Sequence, residues 1–153
     1  MDDIVSRPYR ADDLFACLAL FESNVGVFFA PEERADFCET LDSVNASERP
    51  YLTLARDGAV IACGGLIIDA DARRASLAWG MVGRALHGRG LGTRLTEARL
   101  ALARAAPDVD EVTLATSQHT QGFYARFGFT VSDVAADGFA PGLDRWDMVL
   151  KLV

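Results

Sequence analysis

Residues 87–92 read HGRGLG, within the longer stretch AWGMVGRALHGRGLGTRL at 78–95. Glycine weakens the interiors of helices and strands, so three glycines at alternate positions need a reason. An apolar segment ends at Val82, just before the glycines, and a periodic segment begins near Gly90. A glycine-rich turn between a strand and a helix can direct backbone N–H groups and the positive helix end at one anion. We therefore expect a strand–loop–helix unit that binds an oxygen-rich ligand.

The residues in and around this loop suit an anionic ligand. Gly88, Gly90 and Gly92 carry no side chain, so a ligand could approach their backbone closely. The alternative is a helix entry that needs glycine only to turn sharply. Positive charge at the rim could come from three arginines: Arg84, Arg89 and Arg94.

Two nucleotide-binding patterns fail at this loop. A dinucleotide loop requires G-x-G-x-x-G, whereas Gly88, Gly90 and Gly92 give G-x-G-x-G, with Thr93 in the place of the third glycine. A Walker loop requires Lys and a hydroxyl after its second glycine, whereas Arg89 follows Gly88. A nucleotide-binding domain is therefore disfavoured.

Hydrophobic spacing and turn residues predict the remaining elements. Asp-Gly at 57–58 indicates a hairpin turn, and Gly80 within a strand indicates a bulge or a close backbone approach. Strands are expected at 4–9, 51–55, 59–68, 75–82, 111–117, 129–134 and 145–152. Helices are expected at 11–25, from Pro31 onward, at 90–106 and at 121–128.

This order of elements predicts one α/β domain over residues 1–153. We expect mixed α and β elements, with a mostly antiparallel central sheet flanked by about four helices. The apolar stripe of the helix at 90–106 is expected at Leu91, Leu95, Ala98, Leu102 and Ala105.

The glycine loop resembles the acyl-coenzyme A (acyl-CoA) pyrophosphate loop of the GNAT superfamily of N-acyltransferases. That pattern is Arg or Gln, two residues, Gly, one residue, then Gly or Ala, and it falls here on His87, Gly90 and Gly92. His87 departs from the family at the first position. In relatives this position contributes mainly its backbone N–H, which histidine also has.

A second family pattern is similar to SQHTQGFYARFGF at 117–129. The pattern is Asn, two residues, Ala, two residues, Phe-Tyr, three residues, Gly-Phe. Ser117 and Thr120 stand where Asn and Ala are usual. The matching residues are Phe123, Tyr124, Gly128 and Phe129.

The resemblance implies a GNAT-like fold over nearly the whole chain, with acetyl-CoA as co-substrate. It implies that the backbone of the strand before the loop pairs with the pantetheine arm and that one N–H polarises the acyl carbonyl. The residues assigned to the cofactor are Gly80, Met81, Val82, His87, Gly88, Arg89, Gly90, Leu91, Gly92, Thr93 and Ser117.

The resemblance also implies that Tyr124 is the general acid. Acyl transfer from a thioester needs a proton for the departing thiolate. A phenol has a reference pKa of about 10 against about 8.5 for a thiol, so it is protonated when the thiolate leaves. Tyr124 lies about 100° round the helix from Phe123, which we expect to pack in the core with Phe127.

The general base is not evident in the sequence. Many relatives carry a glutamate on the strand at 75–82, and this chain has no carboxylate there. Asp69, Glu22 and His119 remain candidates, as does a chain of water molecules leading to solvent.

The acceptor pocket is expected in ESNVGVFFAPEER at 22–34, where this family often forms it. Phe28 and Phe29 could line the pocket, and Glu22 or Glu32 could attract a cationic amine. The alternative is an ordinary helix–helix connection with a hydrophobic staple.

Composition excludes several function classes. The net charge is −7 with a single lysine, and no basic run exceeds two residues, so nucleic acid is not an expected partner. The longest apolar run is too short for a bilayer, and no secretory signal is visible, so no membrane partner is expected. The spacing of the three cysteines, Cys17, Cys38 and Cys63, matches no metal-binding pattern, so no bound metal is expected. They are expected to be free thiols in a reducing cytoplasm.

Together these features predict a cytoplasmic N-acetyltransferase that moves acetyl from acetyl-CoA to a primary amine of a small molecule or protein. The acidic balance favours a cationic acceptor such as a polyamine, an amino-sugar antibiotic or a protein amine. Direct attack is expected because neither motif contains a cysteine. A homodimer would fit the family. The alternative is a non-catalytic acyl-CoA binding or sensing module, against which the proton donor Tyr124 argues.

Overall fold

A computed structural model describes residues 3–152 of the chain, so Met1, Asp2 and Val153 lie outside the described residues. Seven strands form one sheet in the order β1-β2-β3-β4-β5-β7-β6. The strands are β1 (Ile4–Pro8), β2 (Tyr51–Arg56), β3 (Ala59–Asp69), β4 (Arg74–Val82), β5 (Glu111–Thr116), β6 (Thr130–Ala140) and β7 (Leu143–Lys151). The α-helices are α1 (Leu14–Ser23), α2 (Arg34–Asp42), α3 (Leu91–Ala105) and α4 (Gln121–Ala125).

The strands pair in antiparallel fashion except at one place. β4 and β5 are parallel neighbours, and α3 lies between them in the chain. Parallel neighbours need such a crossover because the chain must return to the same end of the sheet. The predicted mixed α/β class with a mostly antiparallel sheet is confirmed.

The β2–β3 hairpin has the turn that its sequence predicts. Asp57 and Gly58 have φ of 51° and 83°. Positive φ at both central residues is the requirement of a tight hairpin turn that matches strand twist. β1 lies at one edge of the sheet and ends at Pro8, which lacks the N–H that a central strand must donate.

The core lies on both faces of the sheet. α1 and α2 cover one face, where Phe21, Phe37 and Cys63 are fully buried. α3 covers the other face, where Leu95 and Ala62 belong to a second apolar cluster. Neighbouring residues of β3, Ala62 and Cys63, thus face opposite layers, as strand geometry requires.

The predicted apolar stripe of α3 is only partly right. Leu91 and Leu95 are buried as expected, whereas Ala98 and Leu102 are half-buried and Ala105 is exposed. The buried face of α3 instead includes Arg99, which packs against Gly64 and Gly80 of the sheet. The residues that α3 buries are Leu91, Leu95, Thr96, Arg99, Leu100 and Ala103.

The last two strands are longer than predicted. β6 continues to Ala140 and β7 begins at Leu143, whereas the sequence indicated strand only to 134 and from 145. The polar residues between them are held by side-chain hydrogen bonds rather than by an apolar pattern. Asp137 Oδ1 accepts from Gly142 N at 2.7 Å, and Asp144 Oδ1 accepts from Asp137 N at 2.9 Å.

Helix ends also differ from the prediction. Single 3-10 turns at Ala11–Asp13 and Pro31–Glu33 precede α1 and α2, so both α-helices begin three residues later than their start signals. α4 ends at Ala125, and Gly128 follows with φ of 101° in the turn before β6. None of the helices within residues 3–152 is both long and apolar enough to cross a membrane.

An ion pair joins β1 to the start of α1. Arg7 donates to both carboxylate oxygens of Asp13, at 2.7 and 2.9 Å, and the backbone N–H of Arg10 donates to Asp13 at 2.9 Å. Asp13 is 5% exposed. The hydrogen bonds from Arg7 are the main reason that the pKa of Asp13 lies below its ordinary value.

We expect Asp13→Asn to lower the free energy of unfolding at neutral pH by about 2 kcal/mol, because it removes hydrogen bonds to a charged group. A lowered folded-state pKa stabilises the protein above the unfolded value of about 3.9, and this stabilisation is lost as the pH falls through the folded pKa. Urea denaturation of wild type and variant should therefore give free energies that converge below about pH 4. The neighbouring exposed Asp12→Asn is the control, and a gap that stays constant with pH would contradict the assignment.

Candidate active site

A cleft opens between the two parallel strands. β4 and β5 pair only at Arg74–Ser76 with Glu111–Thr113. The hydroxyls of Ser76 and Thr113 are 3.0 Å apart at the last of these pairs. Beyond this point the strands separate, and crevices at the carboxyl ends of parallel strands are common ligand sites.

A β-bulge in β4 shapes one wall of the cleft. Cys63 pairs with Met81 and Gly65 pairs with Ala78, so both Trp79 and Gly80 stand opposite the single residue between Cys63 and Gly65. Trp79 has φ of 49°, a left-handed conformation that is uncommon for a large residue. The bulge agrees with the indication that Gly80 gave in the sequence.

Buried contacts hold this bulge in place. The hydroxyl of Tyr51 donates to the carbonyl of Trp79 at 2.7 Å. The Trp79 ring packs against Phe37 and Phe29, with ring centroids 5.2 and 5.8 Å apart. The strained conformation is therefore fixed by the core of the α1–α2 layer.

Beyond the bulge, the backbone of Val82 faces away from β3. Gly83 N donates to Ile61 O at 3.0 Å, so the backbone N–H of Gly83 points towards β3. Because backbone groups alternate in direction along an antiparallel pair, those of the preceding residue, Val82, point away from it. The Val82 carbonyl instead accepts from Asn24 Nδ2 at 3.0 Å and contacts His87 Nε2 at 2.9 Å. A carbonyl carries no proton, so His87 Nε2 must be the protonated ring nitrogen.

The glycine loop forms the start of α3. Gly90 is the N-cap residue with φ of 79°, and Gly88 has φ of 81°. α3 has no side-chain cap at its N-terminus. The first N–H groups of a helix have no partner within the helix, so those of Leu91, Gly92 and Thr93 can donate to a ligand. The backbone N–H of His87 already donates to the carbonyl of Arg84, at 3.3 Å.

These elements enclose a cavity of about 560 Å³. Its walls come from β4, the glycine loop, α3, α4 and the segment after α1. Most of the residues singled out in the sequence line it: Phe28, Phe29, Gly80, Met81, Val82, His87, Gly88, Gly90, Leu91, Gly92, Thr93 and Tyr124.

Two residues assigned to the cofactor lie outside this lining. Arg89 is exposed within the glycine loop. Ser117 is half-buried, and its hydroxyl accepts from the backbone N–H of His119 at 3.2 Å, just before α4. Thr120, at the N-terminal end of α4, lines the cavity instead.

The three side chains considered as general base also lie outside the cavity lining. Glu22 is at the surface, 3.2 Å from Arg34. Asp69 accepts from the backbone N–H of Ala72 in the β3–β4 turn and lines a different cavity. His119 is exposed. Among the described residues, no carboxylate lines the cavity between β4 and β5.

Tyr124 stands in the cavity wall on α4. Its ring meets Phe123 and Phe129 edge-on, with centroids 5.1 and 6.0 Å apart, and it is half-buried. Within residues 3–152 the hydroxyl of Tyr124 has no hydrogen-bond partner, so it can donate to a ligand. Phe123, expected in the core, also lines the cavity, while Phe127 packs half-buried against the apolar core.

Two buried residues of the cavity that have an unpartnered polar side-chain atom were not identified from the sequence. Asn24 is 2% exposed, and its Oδ1 has no hydrogen-bond partner among the described residues. Arg99 is 3% exposed, and its Nε likewise has no partner. The only sequence signal for Arg99 is its position in α3 beside the apolar Leu95 and Leu100. A hydrophobic pattern places a charged residue such as Arg99 on the solvent side of the helix.

Within the described chain, no group of three or more His, Cys, Asp or Glu residues is placed to hold a metal ion.

Comparison with known proteins identifies the family. The sequence pattern of the acetyltransferase (GNAT) family matches residues 15–129, most of the chain. No curated protein matches the sequence. The chain belongs to the GNAT acetyltransferase family, and the resemblance inferred from its two motifs is confirmed.

Solved structures have the same fold at low sequence identity. A GNAT-family protein from Desulfovibrio desulfuricans has a TM-score of 0.82 at 21% identity, over 98% of this chain and 99% of that one. A chimera of the spermidine N-acetyltransferase of Vibrio cholerae gives 0.81 at 15% identity, over 98% and 96%. A Salmonella typhimurium protein solved with its cofactor acetyl-CoA gives 0.80 at 16%, over 99% and 95%.

The glycines of the loop should respond differently to alanine. We expect Gly90→Ala to lower the free energy of unfolding by about 1–2 kcal/mol, because an L-residue resists the left-handed conformation. Gly92→Ala should raise it by about 0.5–1 kcal/mol, because it lies in the first turn of α3 and a Cβ there would lie 3.6 Å from Phe123. Urea denaturation of both variants measures this, and equal effects would contradict the loop geometry.

Proposed function

We propose that this GNAT acetyltransferase is an N-acetyltransferase that moves acetyl from acetyl-CoA to a primary amine. The supporting observation is the arrangement of the cleft. A single cavity connects the uncapped N-terminus of α3, the free side of β4 and the unpartnered hydroxyl of Tyr124. These are the anion site, the extended-chain site and the proton donor that such a reaction requires.

The glycine loop fits a pyrophosphate. Apart from the glycine itself and its chain neighbours, no described residue has an atom within 4 Å of the Cβ position at Gly88 or Gly90, so the approach to the backbone is open. The N–H groups of residues 88–93 and the positive end of α3 would bind the phosphate oxygens. Arg89 lies in the loop and Arg126 lines the same cavity, and both would add positive charge.

The pantetheine arm would lie along the free side of β4. Beyond Ser76 this side has no strand partner, and Val82 directs its backbone groups away from β3. Asn24 and His87 fix the Val82 carbonyl, so the strand is held ready for a ligand. His87 thus acts through its ring, whereas the family pattern suggested a role for its backbone.

Acetyl-CoA would supply an activated acetyl thioester. A backbone N–H of β4 beside the bulge would polarise its carbonyl. Tyr124 would donate its hydroxyl proton to the departing sulfur.

The amine would attack the thioester directly. Cys17 and Cys63 are buried in the core, and Cys38 is half-buried on α2. None of the three is among the described residues that line the cavity. Burial raises the pKa of the Cys63 thiol well above its ordinary value, which keeps it protonated and a poor nucleophile. Since none of the described residues that line the cavity carries a carboxylate, the amine would lose its proton to water at the open side.

The acceptor would enter beside the segment that follows α1. Phe28 is exposed there, with its ring 5.3 Å from that of His87, and Phe29 is half-buried against Trp79. These rings would pack against the apolar part of a small molecule or of a protein N-terminus or side chain. The spermidine enzyme with the same fold acts on a small-molecule amine.

Acetyl-CoA should stabilise the folded protein, because a ligand that binds only the folded state raises the melting temperature. At a hundredfold excess over Kd we expect a rise of about 5–10 °C. ATP and NAD at the same concentration should give a much smaller rise, since the loop fits neither nucleotide pattern. Differential scanning fluorimetry measures all three, and an absent acetyl-CoA shift would refute the cofactor assignment.

Removing the hydroxyl of Tyr124 should reduce turnover rather than binding. For Tyr124→Phe we expect kcat about 100-fold lower, the small end of the range for general acids, with the Kd for acetyl-CoA changed less than about threefold. Tyr9→Phe, which removes a phenol hydroxyl outside the cavity, is the matched control. Thiol release over a panel of amines measures kcat.

An unchanged kcat in Tyr124→Phe would remove this residue from the mechanism. Acetyl-CoA binding without thiol release on any amine would favour the non-catalytic acyl-CoA binding module.

A further inference from the structure

Arg99 lies buried against the bulge of β4. A Cβ at Gly80 would lie 2.5 Å from Arg99 Nη2 and 2.8 Å from Cζ, so the guanidinium would have to move from its present position. A Cβ at Gly64 on β3 would lie 3.3 Å from Arg99 Cδ and Cζ. Glycines on two neighbouring strands therefore make the space that the guanidinium occupies.

The guanidinium has no counter-ion. Within residues 3–152 the guanidinium forms no ion pair, and its Nε is buried without a hydrogen-bond partner, while the residue as a whole is 3% exposed. A buried and unpaired charge is unfavourable, and folded proteins almost always pair it. The cavity that Arg99 lines has no carboxylate among its described residues, which leaves a place for a negative charge carried by a ligand.

The position of Arg99 separates it from the phosphate site. Leu91 begins α3 at the glycine loop, and Arg99 follows eight residues later. At a rise of about 1.5 Å per residue, this is about 12 Å along the helix. Arg99 shares the bulge with Gly80, where the proposed function places the acyl group.

We propose that Arg99 binds a carboxylate that one of the two reactants carries into the acyl end of the cleft. The planar guanidinium presents paired donors that match a carboxylate, which an ammonium does not. The carboxylate could belong to the amine acceptor, as in an amino acid, or to the acyl chain, as in a dicarboxylic acyl thioester. This inference rests on the proposed acyl transfer and specifies which substrates that site accepts.

The test compares carboxylates with neutral partners of the same shape. In the acceptor arm, acetyl-CoA is the donor, and amino acids are compared with their α-carboxamides. In the donor arm, succinyl-CoA is compared with butyryl-CoA at a fixed amine. Each arm records kcat/KM by thiol release, and the shift in melting temperature reports binding separately.

Wild type should favour the carboxylate at least about tenfold in one arm, the size expected for a hydrogen bond to a charged group. The arm that shows the preference identifies which reactant carries the carboxylate. Arg99→Met should abolish the preference, and Arg99→Lys should retain only part of it because the forked geometry is lost. Arg104→Met, an exposed arginine in the last turn of α3, is the matched control and should keep the preference.

The melting temperature of the ligand-free variants excludes a purely structural role. Arg99→Met should melt at or above wild type, because it replaces an unpaired buried charge with an apolar side chain. A lower melting temperature with an unchanged substrate preference would overturn the inference.

A carboxylate preference below twofold in both arms would also overturn it. The carboxylate site and the proposed acyl transfer can fail separately. If no amine is acetylated, the proposed chemistry fails. The carboxylate site at Arg99 is still supported if the carboxylate-bearing ligand raises the melting temperature more than its neutral partner does, and only in proteins that keep Arg99.

Discussion

The arrangement of the cleft depends on the short pairing between β4 and β5. The two strands are parallel and share only three paired positions before they separate. Their separation leaves β4 without a strand partner on one side. Asn24 and His87 satisfy the Val82 carbonyl there, and backbone groups that stay unpaired are costly unless a ligand or water satisfies them. The bulge at Trp79 and Gly80 lies on β4 beyond the last pair with β5 and is fixed by the hydroxyl of Tyr51. The crossover helix α3 must start at this opening, so its N-terminus points at whatever the cleft holds.

The charge of the cleft differs from the charge of the whole protein. The chain carries a net charge of −7, which suggested a cationic acceptor. The cavity, however, is lined by Arg99, Arg126 and His87, and by no carboxylate among the described residues. Local charge at the site determines recognition, whereas net charge influences association over longer distances. The cavity therefore favours anionic groups: phosphates at one end and, by our inference, a carboxylate at the other.

The sequence predicted the parts of the fold that depend on local conformation. Glycine at 88 and 90 and Asp-Gly at 57–58 stand where the backbone adopts positive φ, and this requirement is visible in the residue type alone. The buried face of α3 could not be predicted in the same way. Arg99 is buried only because Gly64 and Gly80 face it from strands far away in the sequence. Likewise, the β6–β7 turn depends on hydrogen bonds between polar side chains, which leave no apolar pattern.

The central claim is that the β4–β5 cleft holds acyl-CoA in one defined orientation, and a crystal structure with acetyl-CoA tests it most directly. We predict the pyrophosphate within about 3.5 Å of backbone N–H groups in residues 88–93, the pantetheine arm beside Val82, and the sulfur within about 3.5 Å of the Tyr124 hydroxyl. A cofactor bound outside the cleft, or with its sulfur directed away from Tyr124, would contradict the account.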